Sequence, residues 1–415
     1  MITEKLSLAY TEETTTSVAT LRGVDTVLPR RESLADEMQD RRIRLYLGID
    51  PTSPDLHYGH TVPLRKLRHF QDLGHEVNLL FGTFTGMIGD PTDKSAARVK
   101  LSEDQINHNV KTYAEQASKV LDLSPEATNP INIVYNHEWL GKLSFEQVVE
   151  LASNFTVQQM LKRNMFQDRM EQQKPVYLHE FLYPLMQGYD SLAMDVDLEI
   201  GGKDQLFNMM VGKFLVNRYK GHEKWVMGTK LIEDPSGKKM GKTEGNIVNV
   251  KDFPEVAFEA LMTWPDETIP LGLELLTTVP IDTVRQISNE LPNIISGESQ
   301  VGIVELKEAF AERVVSELHG EQAGDYAEEE FDRVKRRGEE LRRIRQVPAD
   351  LNSNLSTYLV VSGLARDTEE ARDKITRGAI YVGNQRIRKD IRVEDKMIIK
   401  IGKKAIGNAR QVIID

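Results

Sequence analysis

The sequence predicts an α/β protein: a mostly parallel-sheet domain first, a helix-rich stretch after it, and a small α+β unit at the end. Three observations carry this. Short β-branched and aliphatic runs alternate with helical periodicity over the first 250 residues, the signature of strands joined by crossover helices. From Pro254 to Arg345 the text is helical and charged, with no strand-like run. After residue 346 a capped helix and a tight hairpin form a separate compact pattern.

Taken in order, "RLYLGID" (Arg44–Asp50) is a buried strand followed by a two-proline turn. Apolar residues then recur at helical spacing from Leu56 to Leu73, with Asp55 as the expected cap. "HEVNLLFGTFTG" is a second strand entering a glycine-rich turn, and "INIVYN" (Ile131–Asn136) a third. From Ser144 to Met194 the chain is largely helical, with aromatic and methionine residues (Phe155, Met160, Met165, Phe166, Phe181) in excess of what one sheet face absorbs. "VDLEIGGKDQLFNMMVGKF" returns to strand, glycine turn and helix, and "QVPADLNSN" (Gln346–Asn354) is expected as a linker. In the tail, Asp367 caps a helix that Gly378 stops, and "AIYVGNQRI" turns around Gly383-Asn384.

Bulk properties narrow the function. The 415 residues are 40% apolar and 28% charged, a globular composition without an apolar run of about 18 residues that could span a bilayer. The N-terminus has no secretion-signal pattern, and a cytoplasmic location is expected. Cysteine is absent, which removes disulfides, thiolate metal sites and cysteine nucleophiles. The net charge of −11 argues against a nonspecific nucleic-acid binder, but it is uneven. Residues 351–415 hold 13 Lys+Arg against 8 Asp+Glu, a net of +5, leaving −16 on the rest. A basic tail on an acidic body is compatible with RNA contact, though such a face is more often merely solvated.

Two stretches point to chemistry. "HYGH" (His57–His60) lies where a helix begins after a strand. Its histidines are three apart and nothing nearby completes a zinc set, so no protein-bound metal is expected. Packing explains one histidine better than two flanking a glycine. Gly59 admits close approach of another molecule, and two imidazoles at a helix N-terminus suit an anion, phosphate first among them. "DPSGKKMGKTEGN" (Asp234–Asn246) is rich in lysine and glycine, with Met240 its one large apolar residue. A solvated loop is the ordinary reading; the sharper one is a mobile loop that brings Lys239, Lys242 and Thr243 onto a polyphosphate. "GDPTDKS" (Gly89–Ser95) is no P-loop, because Asp93 stands where the glycine before the lysine is required.

With these residues in view, "HYGH" resembles the HIGH motif of class I aminoacyl-tRNA synthetases and "KMGKT" resembles their KMSKS loop, in that order and about 180 residues apart. "LYLGIDPTSPDLHYGH", "FTGMIGDPT", "YPLMQGYD" and "GGKDQLFN" are similar to the tyrosyl branch of bacterial type, and the tail is similar to an RNA-binding module named after a small-subunit ribosomal protein.

The resemblance implies a Rossmann-like catalytic domain over residues 1–250, with a helical connective insertion at about 140–182 through which a homodimer forms. It further implies an α-helical, anticodon-side domain over 251–345 and an RNA-binding domain over 346–415. It implies tyrosine activation with ATP, accompanied by Mg2+, then transfer to tRNA(Tyr), with no membrane partner. His57 and His60 would contact the ATP phosphates, and Lys239, Lys242 and Thr243 the pyrophosphate side. Gly48, Asp50, Gly59, Gly202, Asp204 and Met240 would line the nucleotide and adenylate. Tyr46 and Asp190 would bind the phenol, Thr85 would lie near the ring, and Asp90, Tyr183, Gln187 and Gln205 would surround the ammonium group. Tyr183, Gln187 and Asp190 fall on one helix face by their spacing. Arg377, Arg386, Arg388 and Lys389 are candidate tRNA contacts.

The chain departs from the family pattern at Gly241 and Thr243, where serines are commonest, and at Asp93, where glycine is frequent. Three alternatives remain at this level. A tryptophanyl-tRNA synthetase shares the fold, but indole offers no hydroxyl to Tyr46 and Asp190. A small-molecule adenylyltransferase would not need the basic tail. A non-catalytic RNA-binding relative predicts decay of the histidines or the lysine loop, and both are intact.

Overall fold

A computed structural model describes residues 6, 14–90, 101–237, 248–337, 345–347, 353–362, 364–365, 367–382, 385–393, 397–401 and 411–414. The chain divides into two compact units, one of 11–233 with 274–276, the other of 1–10, 234–273 and 277–415.

The first unit is built on a six-stranded sheet of β1 (Val24–Leu28), β2 (Arg44–Ile49), β3 (Glu76–Phe81), β4 (Asn132–Tyr135), β5 (Leu198–Gly202) and β6 (Trp225–Thr229), in the order β1-β6-β5-β2-β3-β4. All pairings are parallel except β1 with β6. The central strands are apolar because both their faces are covered: Leu45, Leu47, Val77, Leu79, Phe81, Leu198 and Ile200 are all buried. From β2 the chain winds outward through β3 and β4, and the later strands β5 and β6 lie on the other side of β2. Strand order therefore reverses between β2 and β5, and the crevice beyond their carboxyl ends is where such sheets bind ligands.

Helix α1 (Tyr58–Asp72) follows β2, α2 (Glu103–Ala117) follows β3, α3 (Tyr183–Met194) precedes β5 and α4 (Leu206–Lys220) follows it. The expected cap of α1 is corrected: His57, not Asp55, is the N-cap, because the turn after β2 delays helical geometry by two residues. Ser102 and Gln105 cap α2 reciprocally, and Gly221 at φ +77 ends α4. Helices α3 and α4 cross at glycines. A Cβ on Gly188 would lie 2.8 Å from Val211 and 3.1 Å from the Gly212 nitrogen, so a larger residue would push the helices apart. The insertion between β4 and α3 contains helices Phe145–Ala152, Val157–Met160 and Asn164–Glu171. Its core of Leu151 and Met160 packs with Leu185, Val211 and Leu215.

The second unit carries helices Pro254–Leu261, Ile281–Ser296, Ile303–His319 and Glu321–Phe331, then a small sheet. That sheet joins β7 (Arg345–Val347), β8 (Ile380–Val382), β9 (Gln385–Ile387), β10 (Ile398–Ile401) and β11 (Gln411–Ile414) in the order β7-β11-β10-β8-β9. The expected linker is thus corrected at its start, since Gln346 and Val347 pair in parallel with Ile413 and Ile414. Asp367 caps helix Thr368–Thr376 through a 2.8 Å bond from the Glu370 N–H. Strands β8 and β9 form the expected antiparallel hairpin, whose turn residues Gly383 and Asn384 lie outside the described residues. Among the described residues no helix is long and apolar enough to cross a membrane.

Candidate active site at the strand switch point

The loop after β2 brings both histidines to the start of α1. Their rings stack with centroids 3.8 Å apart. His60 Nδ1 accepts the His57 backbone N–H at 3.1 Å. An imidazole nitrogen that accepts carries no proton, so this bond assigns the neutral ring's N–H to His60 Nε2 and makes that atom a donor. Gly59 is required by the stack, because a Cβ there would lie 2.9 Å from His57 Cε1 and Nδ1. The glycine between the histidines therefore serves the rings themselves.

Beside it lies a buried polar network. Asp50, just past β2, accepts from Thr85 Oγ1 at 2.6 Å and from the Tyr183 hydroxyl at 2.8 Å. Gly82 leaves room for this contact, since a Cβ there would collide with the Asp50 carboxylate and the Thr85 hydroxyl. Asn136, fully buried at the end of β4, donates to Thr85 Oγ1 at 2.9 Å and to Asp190 Oδ2 at 3.2 Å. Asp190 Oδ1 accepts from Trp139 Nε1 at 2.7 Å. Burial pushes the Asp190 carboxyl well above the usual carboxylate range, although its bonds from Trp139 and Asn136 pull the other way. Burial, reinforced by the nearby Asp50 charge, likewise raises the Tyr183 phenol.

The Tyr46 hydroxyl lies 3.0 Å from Ser191 Oγ and 3.5 Å from the Gln187 carbonyl. Burial first, then the Glu199 and Asp190 charges, raise its pKa well above that of an ordinary phenol. Asp90 accepts from Gln205 Nε2 at 2.6 Å, and Arg163 from the insertion lies 3.9 Å from its other oxygen. The Arg163 guanidinium also faces the rings of Phe166 and Phe207.

The structure thus brings Asp50, Thr85, Tyr183 and Asp190 into one network and Tyr46 and Gln187 into a second, with Asp90 and Gln205 as a bonded pair. Gly202 and Asp204 follow at the end of β5, across the switch point from Gly48 on β2. Lys239, Met240, Lys242 and Thr243, like Asp93, lie outside the described residues. In the tail, Arg386 directs its guanidinium to the carbonyls of Gly378 at 2.5 Å and Arg377 at 3.1 Å. Arg377 pairs with Asp373 at 2.8 Å, and Arg388 and Lys389 are exposed.

Sequence reasoning missed Asn136, Trp139, Ser191, Arg163, Glu199 and Lys224. Asn136 was within reach, as the residue ending a parallel strand. So was Glu199, a carboxylate inside the apolar run "DLEIGG".

A model of the family described as "tRNA synthetases class I (W and Y)" matches residues 38–334. The tyrosine–tRNA ligase of Carboxydothermus hydrogenoformans is 37% identical over 403 residues, covering 92% of this chain and 94% of that one. That of Nitrosomonas europaea is 38% identical over 398 residues, covering 94% and 95%. Among solved structures, a C-terminally truncated mitochondrial tyrosyl-tRNA synthetase of Coccidioides posadasii superposes with a TM-score of 0.59 at 21% identity, over 76% of this chain and 90% of that one. A tyrosyl-tRNA synthetase of Archaeoglobus fulgidus complexed with L-tyrosine gives 0.57 at 20% identity, over 79% and 100%. These structural likenesses speak for the Rossmann-like class I fold. The switch-point site, the family match and the near full-length identity agree: the chain belongs to the class I tRNA synthetases of the tryptophan and tyrosine group.

Proposed function

We propose that the chain is a tyrosine–tRNA ligase, on the strength of one observation above all: two buried polar groups, Tyr46 and Asp190, sit on β2 and α3 at the switch point of a chain whose near full-length relatives are tyrosine–tRNA ligases. A site that hydrogen-bonds a substrate hydroxyl rejects the analogue lacking it, since its own groups would be left unpaired; tyrosyl-tRNA synthetases are themselves the standard illustration. Indole carries no hydroxyl, which disfavours tryptophan.

In this reading the tyrosine carboxylate attacks the α-phosphorus of ATP, brought in with Mg2+. The bond to the bridging oxygen breaks and pyrophosphate leaves. A terminal ribose hydroxyl of tRNA(Tyr) then attacks the adenylate carbonyl and AMP departs. Catalysis is positioning plus electrostatic stabilisation. His57 and His60 donate to the phosphates, and Lys239, Lys242 and Thr243 offset charge on the leaving pyrophosphate. Gly48, Asp50, Gly59, Gly202, Asp204 and Met240 line the nucleotide, and Asp90, Tyr183, Gln187 and Gln205 receive the ammonium group.

The domain roles belong to the same proposal: residues 1–250 catalyse, 251–345 meet the anticodon side and 346–415 grip tRNA, in the cytoplasm. Arg388 and Lys389, being exposed, are better phosphate contacts than Arg386, which is engaged with backbone carbonyls. A homodimer is supported by Phe145, 84% exposed, and Leu178, 80% exposed, with Val149 and Val157 also bare on the insertion. Apolar side chains exposed together mark an interaction surface. Charging of tRNA(Tyr) with labelled tyrosine tests the whole reading; ATP-dependent acylation is expected, and folded protein that never acylates the tRNA refutes it.

A further inference from the structure

We propose that Glu199, ion-paired with Lys224, is a positioning residue that fixes the hydrogen-bond polarity of the amino-acid pocket, so that Tyr46 and Gln187 both present acceptors to the substrate. This rests on reading that pocket as the tyrosine site.

Glu199 on β5 and Lys224, the residue just before β6, form an ion pair and are 2% and 0% exposed. Such a pair carries a desolvation cost that two well-packed apolar residues would avoid, so its presence inside β5 calls for a use. Lys224 Nζ also donates to the Met209 carbonyl at 3.2 Å. Space for the pair is reserved at Gly212, where a Cβ would lie 2.6 Å from Ser191 Oγ and 2.7 Å from Lys224 Nζ.

A carboxylate only accepts, and the direction of every bond around it follows from that. Ser191 Oγ, 3.1 Å from Glu199 Oε2, must give its one proton to Glu199. Ser191 Oγ therefore receives the Tyr46 hydroxyl proton across their 3.0 Å contact. The lone pairs of Tyr46 are left for a ligand, which must bring a hydroxyl donor. Gln187 is set in the same way. Its Nε2 donates to Glu199 Oε1 at 3.0 Å, which leaves its carbonyl oxygen as the outward group, an acceptor suited to an ammonium. One buried carboxylate thus orients both ends of the site. Without Lys224 the carboxylate loses its ion-pair partner inside the fold and, with it, the contact that holds its oxygens against Ser191 and Gln187.

The test compares wild type with Ser191→Ala and Lys224→Met in pyrophosphate exchange, measuring KM for tyrosine, KM for ATP and the tyrosine-to-phenylalanine ratio of kcat/KM. Ser191→Ala removes the nearer acceptor of the Tyr46 proton, leaving only the Gln187 carbonyl at 3.5 Å, and should lower that ratio roughly fivefold, through KM for tyrosine, with KM for ATP unmoved. Lys224→Met disturbs both acceptors and should lower it by about tenfold or more. Should Lys224→Met fail to fold, Ser191→Ala decides, because it leaves the ion pair in place. An unchanged ratio in the folded variants, or parallel rises in both KM values, overturns the proposal. If wild type itself shows no tyrosine-dependent exchange, the reading of the pocket fails instead and takes this inference with it.

Discussion

Replacing Tyr46 by phenylalanine deletes one buried hydroxyl and almost nothing else. Tyr46 is 1% exposed, its ring is held by Leu80 and Val196, and the substitution removes no carbon. Ser191 keeps Glu199 as its acceptor, so no buried donor is stranded and the melting temperature should hardly move. Apart from the Tyr46–Ser191 contact, which is lost in the free and bound enzyme alike, what is lost is one hydrogen bond to the substrate phenol. A neutral bond of this kind contributes about 0.5–1.5 kcal/mol net, because the free substrate's hydroxyl is already satisfied by water. That converts to a loss of roughly two- to twelvefold in kcat/KM for tyrosine. Phenylalanine never made the bond, so its kcat/KM should stay level or rise, and discrimination should fall by the same factor. Pyrophosphate exchange with each amino acid, beside a thermal melt, reads this directly. An equal loss for both substrates would refute the assignment of Tyr46 to the phenol.

Three further outcomes follow from the geometry. Gly59→Ala forces His57 off the His60 ring but improves helix propensity by up to about 1 kcal/mol, so exchange turnover should drop at least about tenfold without a lower melting temperature; retained turnover would free the stack from any role. Burial holds the Asp190 carboxyl above its unfolded pKa, so its neutral form stabilises the fold fully below the ordinary carboxylate range. That contribution is lost as pH rises toward the raised value, and the melting temperature of Asp190→Asn should therefore climb relative to wild type over the window; a difference flat with pH counts against it. Phe145→Glu places a charge on the exposed apolar face of the insertion and should shift sedimentation from dimer to monomer; a dimer unaffected by the change locates the interface elsewhere.

Most of the sheet could be read from the sequence because strands β2 to β5 are short apolar runs bounded by turn residues, with helical periodicity between them. The edge strand β1 was harder: "VDTVL" mixes polar and apolar residues and runs antiparallel to its neighbour, a pairing that no local pattern announces. Strand β7 was hidden for a similar reason, since three residues beside a proline acquire strand geometry only from β11, over sixty residues later. The site divides the same way. His57, His60, Tyr183 and Asp190 stand in local motifs whose spacing has meaning. Ser191, Glu199 and Lys224 gain theirs from the crossing of α3, α4 and β5, where only the assembled packing brings a lysine from the edge of β6 under a tyrosine on β2.

The most direct test of the central claim is amino-acid-dependent exchange of labelled pyrophosphate into ATP, without tRNA, using tyrosine, phenylalanine and tryptophan separately. Exchange with tyrosine alone is the predicted result, and it would tie the adenylation step to the phenol-binding pair in one measurement. Exchange driven by tryptophan, or by phenylalanine as well as tyrosine, would contradict it.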